Sequence, residues 1–183
     1  MRRMAAVTGL ITVLVLSVMA QTNKELDRAL TPDAMKTFQT ERARLYQWDS
    51  FKFLMGEWKT KGTAANAGFE VTSSLDGKAL IISNTEPSIA IGARSKTANY
   101  KSLTFVYVEG LTQKATFYDS DGRVLTYNVQ AEPQKVALVS AVPSYPSMVF
   151  EETTEGAVSI AVGQASRAKL VPQAKIQAVR VSK

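Results

Sequence analysis

Apolar and polar residues alternate with a period of two from Phe53 to the end of the chain, and with a helical period before it. Around residues 56–62, Glu57, Lys59 and Lys61 point one way while Gly56, Trp58, Thr60 and Gly62 point the other, the alternation of a half-buried strand. Nine further strand-like runs follow near 68–75, 78–86, 102–108, 112–118, 123–130, 134–142, 147–153, 157–163 and 174–181. Asp76-Gly77 and Asp119-Ser120-Asp121-Gly122 carry hairpin chemistry, with Glu155-Gly156 a weaker third turn. Consecutive strands are therefore expected as neighbours. About ten antiparallel strands in a meander close most naturally into an up-and-down β-barrel, which leaves no exposed edge. Two longer connections, 87–101 and 164–173, break the rhythm and are expected to line or gate a barrel mouth.

Ahead of the strands, Thr31-Pro32-Asp33 reads as a helix start: a cap, a proline in the first turn and an acid near the positive end of the dipole. Met35, Phe38, Arg42 and Leu45 then recur at helical spacing, predicting an amphipathic helix from about Pro32 to Gln47 that covers a barrel mouth or packs on its outer wall. The first twenty residues differ again. Arg2 and Arg3 precede an apolar core, Gly9 to Leu16, and small residues Val18 and Ala20 precede Gln21, the order of a secretory signal peptide. The core is short for a bilayer span of about 20 residues. The expected organisation is a signal peptide over 1–20, a helical segment over 21–50 and a β-barrel domain over 51–183, with the mature protein periplasmic or secreted and not inserted in the membrane.

Removing residues 1–20 from 183 leaves 163, enough for one ordinary core. Of the 22 Lys and Arg, 20 remain against 16 Asp and Glu, a scattered formal charge of +4 that argues against a nucleic-acid partner. The chain has no cysteine, so no disulfide supports an exported fold. It also has no histidine, which removes the usual metal and haem ligand and the commonest general base near neutral pH. Catalytic residues, cofactors and metal ligands are accordingly expected to be none.

Local clusters have ordinary readings. Asp119-Ser120-Asp121-Gly122 starts like a calcium loop but lacks the later ligands, so it reads as a hairpin turn. Glu151 and Glu152 are adjacent on a strand and face opposite sides; with Glu155 they read as solvated charge. Arg94, Lys96 and Lys101 give one loop a positive character suited to an anionic head group. The interior holds the remaining candidates. Alternation groups Leu125, Tyr127 and Val129 on one face, Leu103, Phe105 and Tyr107 on another, and Met148 with Phe150 on a third. Phe105, Tyr107, Tyr127 and Phe150 are the expected walls of a pocket for a small apolar or amphipathic molecule.

Three stretches, Phe53 to Trp58, Leu103 to Gly110 and Ala115 to Val129, make the chain resemble the lipocalin-like (calycin) superfamily, and more closely a group of uncharacterised exported bacterial barrels. Gly56-x-Trp58 with Arg180 in the last strand is similar to that superfamily's barrel-floor pair, an indole pinned under a cation. The resemblance implies a barrel of about ten strands with an internal cavity and no assigned activity. Such relatives often carry histidine where this chain has Arg123. Nitrobindin, a more distant haem barrel with a similar start, ligates iron through histidine, which cannot be carried over here. The leading expectation is an exported carrier of a small apolar molecule. The rivals are an envelope interaction protein with a packed barrel, and a barrel isomerase or hydrolase using tyrosine and carboxylate groups.

Overall fold

In the computed structural model, residues 31–61, 67–85, 100–166 and 169–181 are described. They fall into two compact units that divide between Ala43 and Arg44. The helix α1 (Pro32–Leu45) starts where the cap chemistry predicts: Ala34 N–H donates to Thr31 Oγ1 at 3.3 Å, and Asp33 lies in its first turn. None of its residues is buried.

The second unit is an antiparallel barrel of ten strands: β1 (Gly56–Thr60), β2 (Gly68–Ser74), β3 (Ala79–Asn84), β4 (Ser102–Glu109), β5 (Thr112–Asp119), β6 (Val124–Glu132), β7 (Lys135–Ser140), β8 (Ser147–Thr154), β9 (Ala157–Ser166) and β10 (Lys169–Arg180). Every strand pairs with its sequence neighbours, and β1 pairs with β10 to close the sheet. Closure satisfies the backbone groups that an open sheet would leave at its edges. The architecture is consistent with a lipocalin-like fold.

The last strand begins earlier than the alternation suggested. Residues 164–173, expected as a long connection, mostly extend the β9–β10 ladder, which runs out to Ser166 and Lys169. Pro172 hid this, because it cannot donate to a ladder; a register shift between Pro172 and Ala174 absorbs it. Opposite Pro172 stands Gly163, where a Cβ would lie 1.9 Å from the Val171 carbonyl oxygen. Only glycine allows the two backbones to come so close. The other expected gating loop, over 87–101, falls almost wholly outside the described residues, Arg94 and Lys96 included.

One barrel end is plugged by a 3-10 helix, Asp49–Leu54, whose Phe51 and Leu54 are fully buried. Trp48 caps it in the left-handed region (φ 51°), donates from Nε1 to the Gly77 carbonyl at 2.6 Å and meets Phe51 edge to face at 5.8 Å. Trp58 of β1 lies directly above. Its ring is 2% exposed, stacks on Phe69 at 5.7 Å and donates from Nε1 to the Leu54 carbonyl at 2.7 Å. The Arg180 guanidinium sits 4.7 Å from the indole centroid and donates to the Met55 and Phe53 carbonyls at 2.6 and 2.8 Å. Arg180 thereby satisfies carbonyls that the short helix leaves open at its C-terminal end. Gly56 sits at φ +106°, a backbone conformation that favours glycine.

Candidate functional site

At the opposite end the chain turns between β5 and β6 and re-enters at Tyr100 ahead of β4. Asp119, ending β5, has a side chain with no solvent exposure and organises this rim. Its Oδ1 accepts the backbone N–H groups of Asp121 and Arg123, and its Oδ2 accepts Arg123 Nε at 2.6 Å and the Tyr100 hydroxyl at 3.5 Å. Arg123 also reaches Asp121 at 3.2 Å. These carboxylates are spent on the turn itself, which is why the sequence resembles a calcium loop without being completed as one. Among the described residues, no three carboxylates gather as a metal-binding group.

Burial pushes the Tyr100 phenol up to about 12; the Ser102 hydroxyl offsets part of the rise and the Asp119 carboxylate adds to it. Tyr127 is raised further, by burial first and then by Tyr100. Both phenols therefore stay neutral near pH 7, and the Tyr100 hydroxyl donates to Asp119 Oδ2. Tyr100 beside Asp119 is the tyrosine–carboxylate pair a barrel enzyme would use. Here both carboxylate oxygens are already engaged, by the Arg123 guanidinium and two backbone amides, and organise the turn.

The four expected pocket walls divide between the two faces of the sheet. Tyr127 and Phe150 are inside and buried, and Phe150 meets Phe69 at 5.9 Å. Phe105 and Tyr107 are not inside. In β4 the inward residues are Ser102, Thr104, Val106 and Val108, leaving Leu103 and Phe105 exposed and Tyr107 half-buried on the outer wall. The reason is volume. Thr104 pairs with Phe117 and Val106 with Ala115, so small β4 side chains complement the inward Phe117, Phe69 and Phe150. Both faces of β4 carry apolar residues, so a period of two could not tell which one is the core.

Among the described residues the interior is closely packed. The cavity bounded by Phe69, Ile82, Asn84, Ser102, Thr104, Phe117, Leu138, Met148 and Phe150 holds about 10 Å³. A carrier pocket needs roughly 300 Å³ or more. The expected carrier-sized cavity is thus absent among the described residues. Ligand-sized space occurs outside, in an open depression of about 550 Å³ over β6–β10 with Ala137, Val139, Val149, Ala161 and Leu170 among its lining residues.

Among the described residues, an apolar strip runs over part of the outer wall. Leu103 pairs with Tyr118, Tyr118 with Val124, and Phe105 with Ile81. Leu103, Phe105, Tyr118 and Val124 are 42, 37, 44 and 59% exposed, and the Phe105 and Tyr118 rings meet edge to face at 6.1 Å. Ser83, Thr116 and Thr126 flank them in register. The nearby cations are mostly engaged: Lys114 donates to Asn128 Oδ1, and Arg123 is held by its two aspartates. Lys101 stands at the end of the strip. A scan against protein-family models and a search of curated proteins both find no match to this chain.

Proposed function

We propose that this protein is an exported, lipocalin-like (calycin) interaction protein whose barrel is a filled scaffold and whose outer wall over β3–β6 receives a protein partner. The observation that carries the reading is the exposed strip Leu103–Phe105–Tyr118–Val124 over a packed interior. Its chemistry favours protein over the other classes. Aromatic residues with few charges and a hydroxyl rim resemble the buried centre of a protein interface. An anionic lipid surface or a nucleic acid would call for free cations, and a small molecule for a concave site. The barrel is also inside-out relative to a lipid-facing one. Its core is apolar, while Glu57, Lys59, Glu70, Glu151 and Lys175 are exposed on its outside.

Export rests on the order of charge, apolar core and small residues in 1–20, and the superfamily reading on Gly56-x-Trp58 with Arg180. Mass mapping of the N-terminus on protein purified from the envelope tests the first; intact residues 1–20 would refute it. For the docking surface, a photo-cross-linking side chain placed at Phe105, in the cell that makes the protein, should yield a discrete adduct. The same group at Lys175, on a different stretch of the outer wall, should not. Equal labelling at both positions, or at neither, would refute the proposal.

A further inference from the structure

The outer wall over β6 to β10 is dented where its residues are small. In one row across five strands Gln130 pairs with Ala137, Ala137 with Val149, Val149 with Ala161 and Ala161 with Lys175, so two alanines flank a valine on the outward face. The next row on that face, away from the plugged end, is smaller still, with Ser147 opposite Gly163. Beyond that pair the β9–β10 ribbon runs on to Ser166 and Lys169, and its Leu170 joins Val139 in walling an open depression of about 550 Å³. Small-molecule sites span roughly 300–1,000 Å³, so this one has room for a ligand. The end nearer the plug is charged. Lys135 stands in register between Glu132 of β6 and Glu151 of β8, and all three line the depression.

The groove is therefore apolar along its floor and charged at one end. Along β7, Lys135 and Val139 are four residues apart, about 13 Å at 3.3 Å per residue. An alkyl chain laid over Ala137, Val149 and Ala161 against Leu170 would bring its head group beside Lys135. Charge then selects the head. Two carboxylates flank one ammonium in the lining, and Lys175, the next cation along the same row, does not line the space. A cationic head meets net attraction there and an anionic head net repulsion. Because the groove is open, the head keeps part of its hydration while the chain leaves water. We propose that this groove binds one single-chain amphiphile with a cationic head, at a site separate from the Leu103–Phe105–Tyr118–Val124 docking strip.

The probe is dodecyltrimethylammonium below its micelle concentration, with dodecyl sulfate and dodecyl maltoside as the anionic and uncharged counterparts. Calorimetric titration of the purified protein should show saturable binding of one dodecyltrimethylammonium per chain, tighter than either counterpart. Equal or tighter binding of a counterpart, or no saturable binding, would overturn the proposal. Glu132→Gln combined with Glu151→Gln should weaken the cationic probe about three- to tenfold and leave dodecyl maltoside unchanged. An unchanged affinity for the cationic probe would count against the site. Ala161→Phe should abolish binding by filling the floor. Should that variant fail to fold, amide shifts of the parent decide: changes centred on Ala137, Val149 and Ala161 support the groove, and changes centred on Phe105 and Tyr118 overturn it. Phe105→Ser should leave the titration as it is, so failure of this site and failure of the docking strip are separate results.

Discussion

Arg180 shows how much one side chain can join at the residue scale: two carbonyls of the 3-10 segment, an indole face and the end of the final strand. Trp58 carries the larger apolar share. Trp58→Ala should lower the unfolding free energy by about 3–5 kcal/mol in denaturant titration, much of a small domain's stability. Arg180→Gln should cost less, about 0.5–2 kcal/mol, because the cation–π contact is partly exposed. Tyr100 sets a pH limit. Its pKa rises from 10.0 unfolded to about 12 folded, so the unfolded chain binds fewer protons between those values. The stabilisation is complete below about pH 10 and is lost as pH climbs through about 12; Tyr127, shifted the same way, adds to it. Alkaline unfolding followed by far-ultraviolet circular dichroism should show this loss, and Tyr100→Phe should flatten the pH dependence.

Strand β4 supplies the test at the scale of elements. Phe105→Ser, on the outer wall, should change stability by no more than about 0.5 kcal/mol. Val106→Ser, one residue on and fully buried, should cost about 2 kcal/mol or more, since it removes apolar volume and adds a hydroxyl. Thermal melts of the two would invert if Phe105 pointed inward. The element sequence was legible because ten alternating runs are punctuated by Asp-Gly and similar turns. The face of β4 was not. Its large residues lie outside because neighbouring strands had already filled the interior, and no single strand records its neighbours' volumes. Phe51 and Leu54 were missed for a different reason: the threefold spacing Trp48, Phe51, Leu54 marks a 3-10 turn, but it lies between a helix and a strand and fits neither period. Asp119 looked like a turn residue, and its side chain does organise the turn, whereas Arg123, expected to open the next strand, lies just ahead of β6. The hold of Asp119 on the buried Tyr100 depends on a chain separation of 19 residues that no local pattern reports.

At the scale of the whole molecule, ten strands follow one another around the barrel, and only β1 with β10 joins distant parts of the sequence. That seam consists of three residue pairs, Trp58 with Arg180, Lys59 with Val179 and Thr60 with Ala178, whereas β9 and β10 share a ladder running almost their full length. Hairpins form from local contacts and are fast; the seam must close a loop of over a hundred residues. In pulse-labelled refolding, the amides of Lys61 and Val181, which donate across the seam to the Gln177 and Glu57 carbonyls, should gain protection from hydrogen exchange after those of β4 to β8, and simultaneous protection would contradict this order. The order of folding then has a consequence. Until the seam closes, β1 and β10 remain open edges capable of pairing with other chains, so the folding protein is a curved sheet rather than a barrel. The Arg180 guanidinium reaches Trp58 only when the sheet closes, which makes this contact the latch that ends that exposed interval.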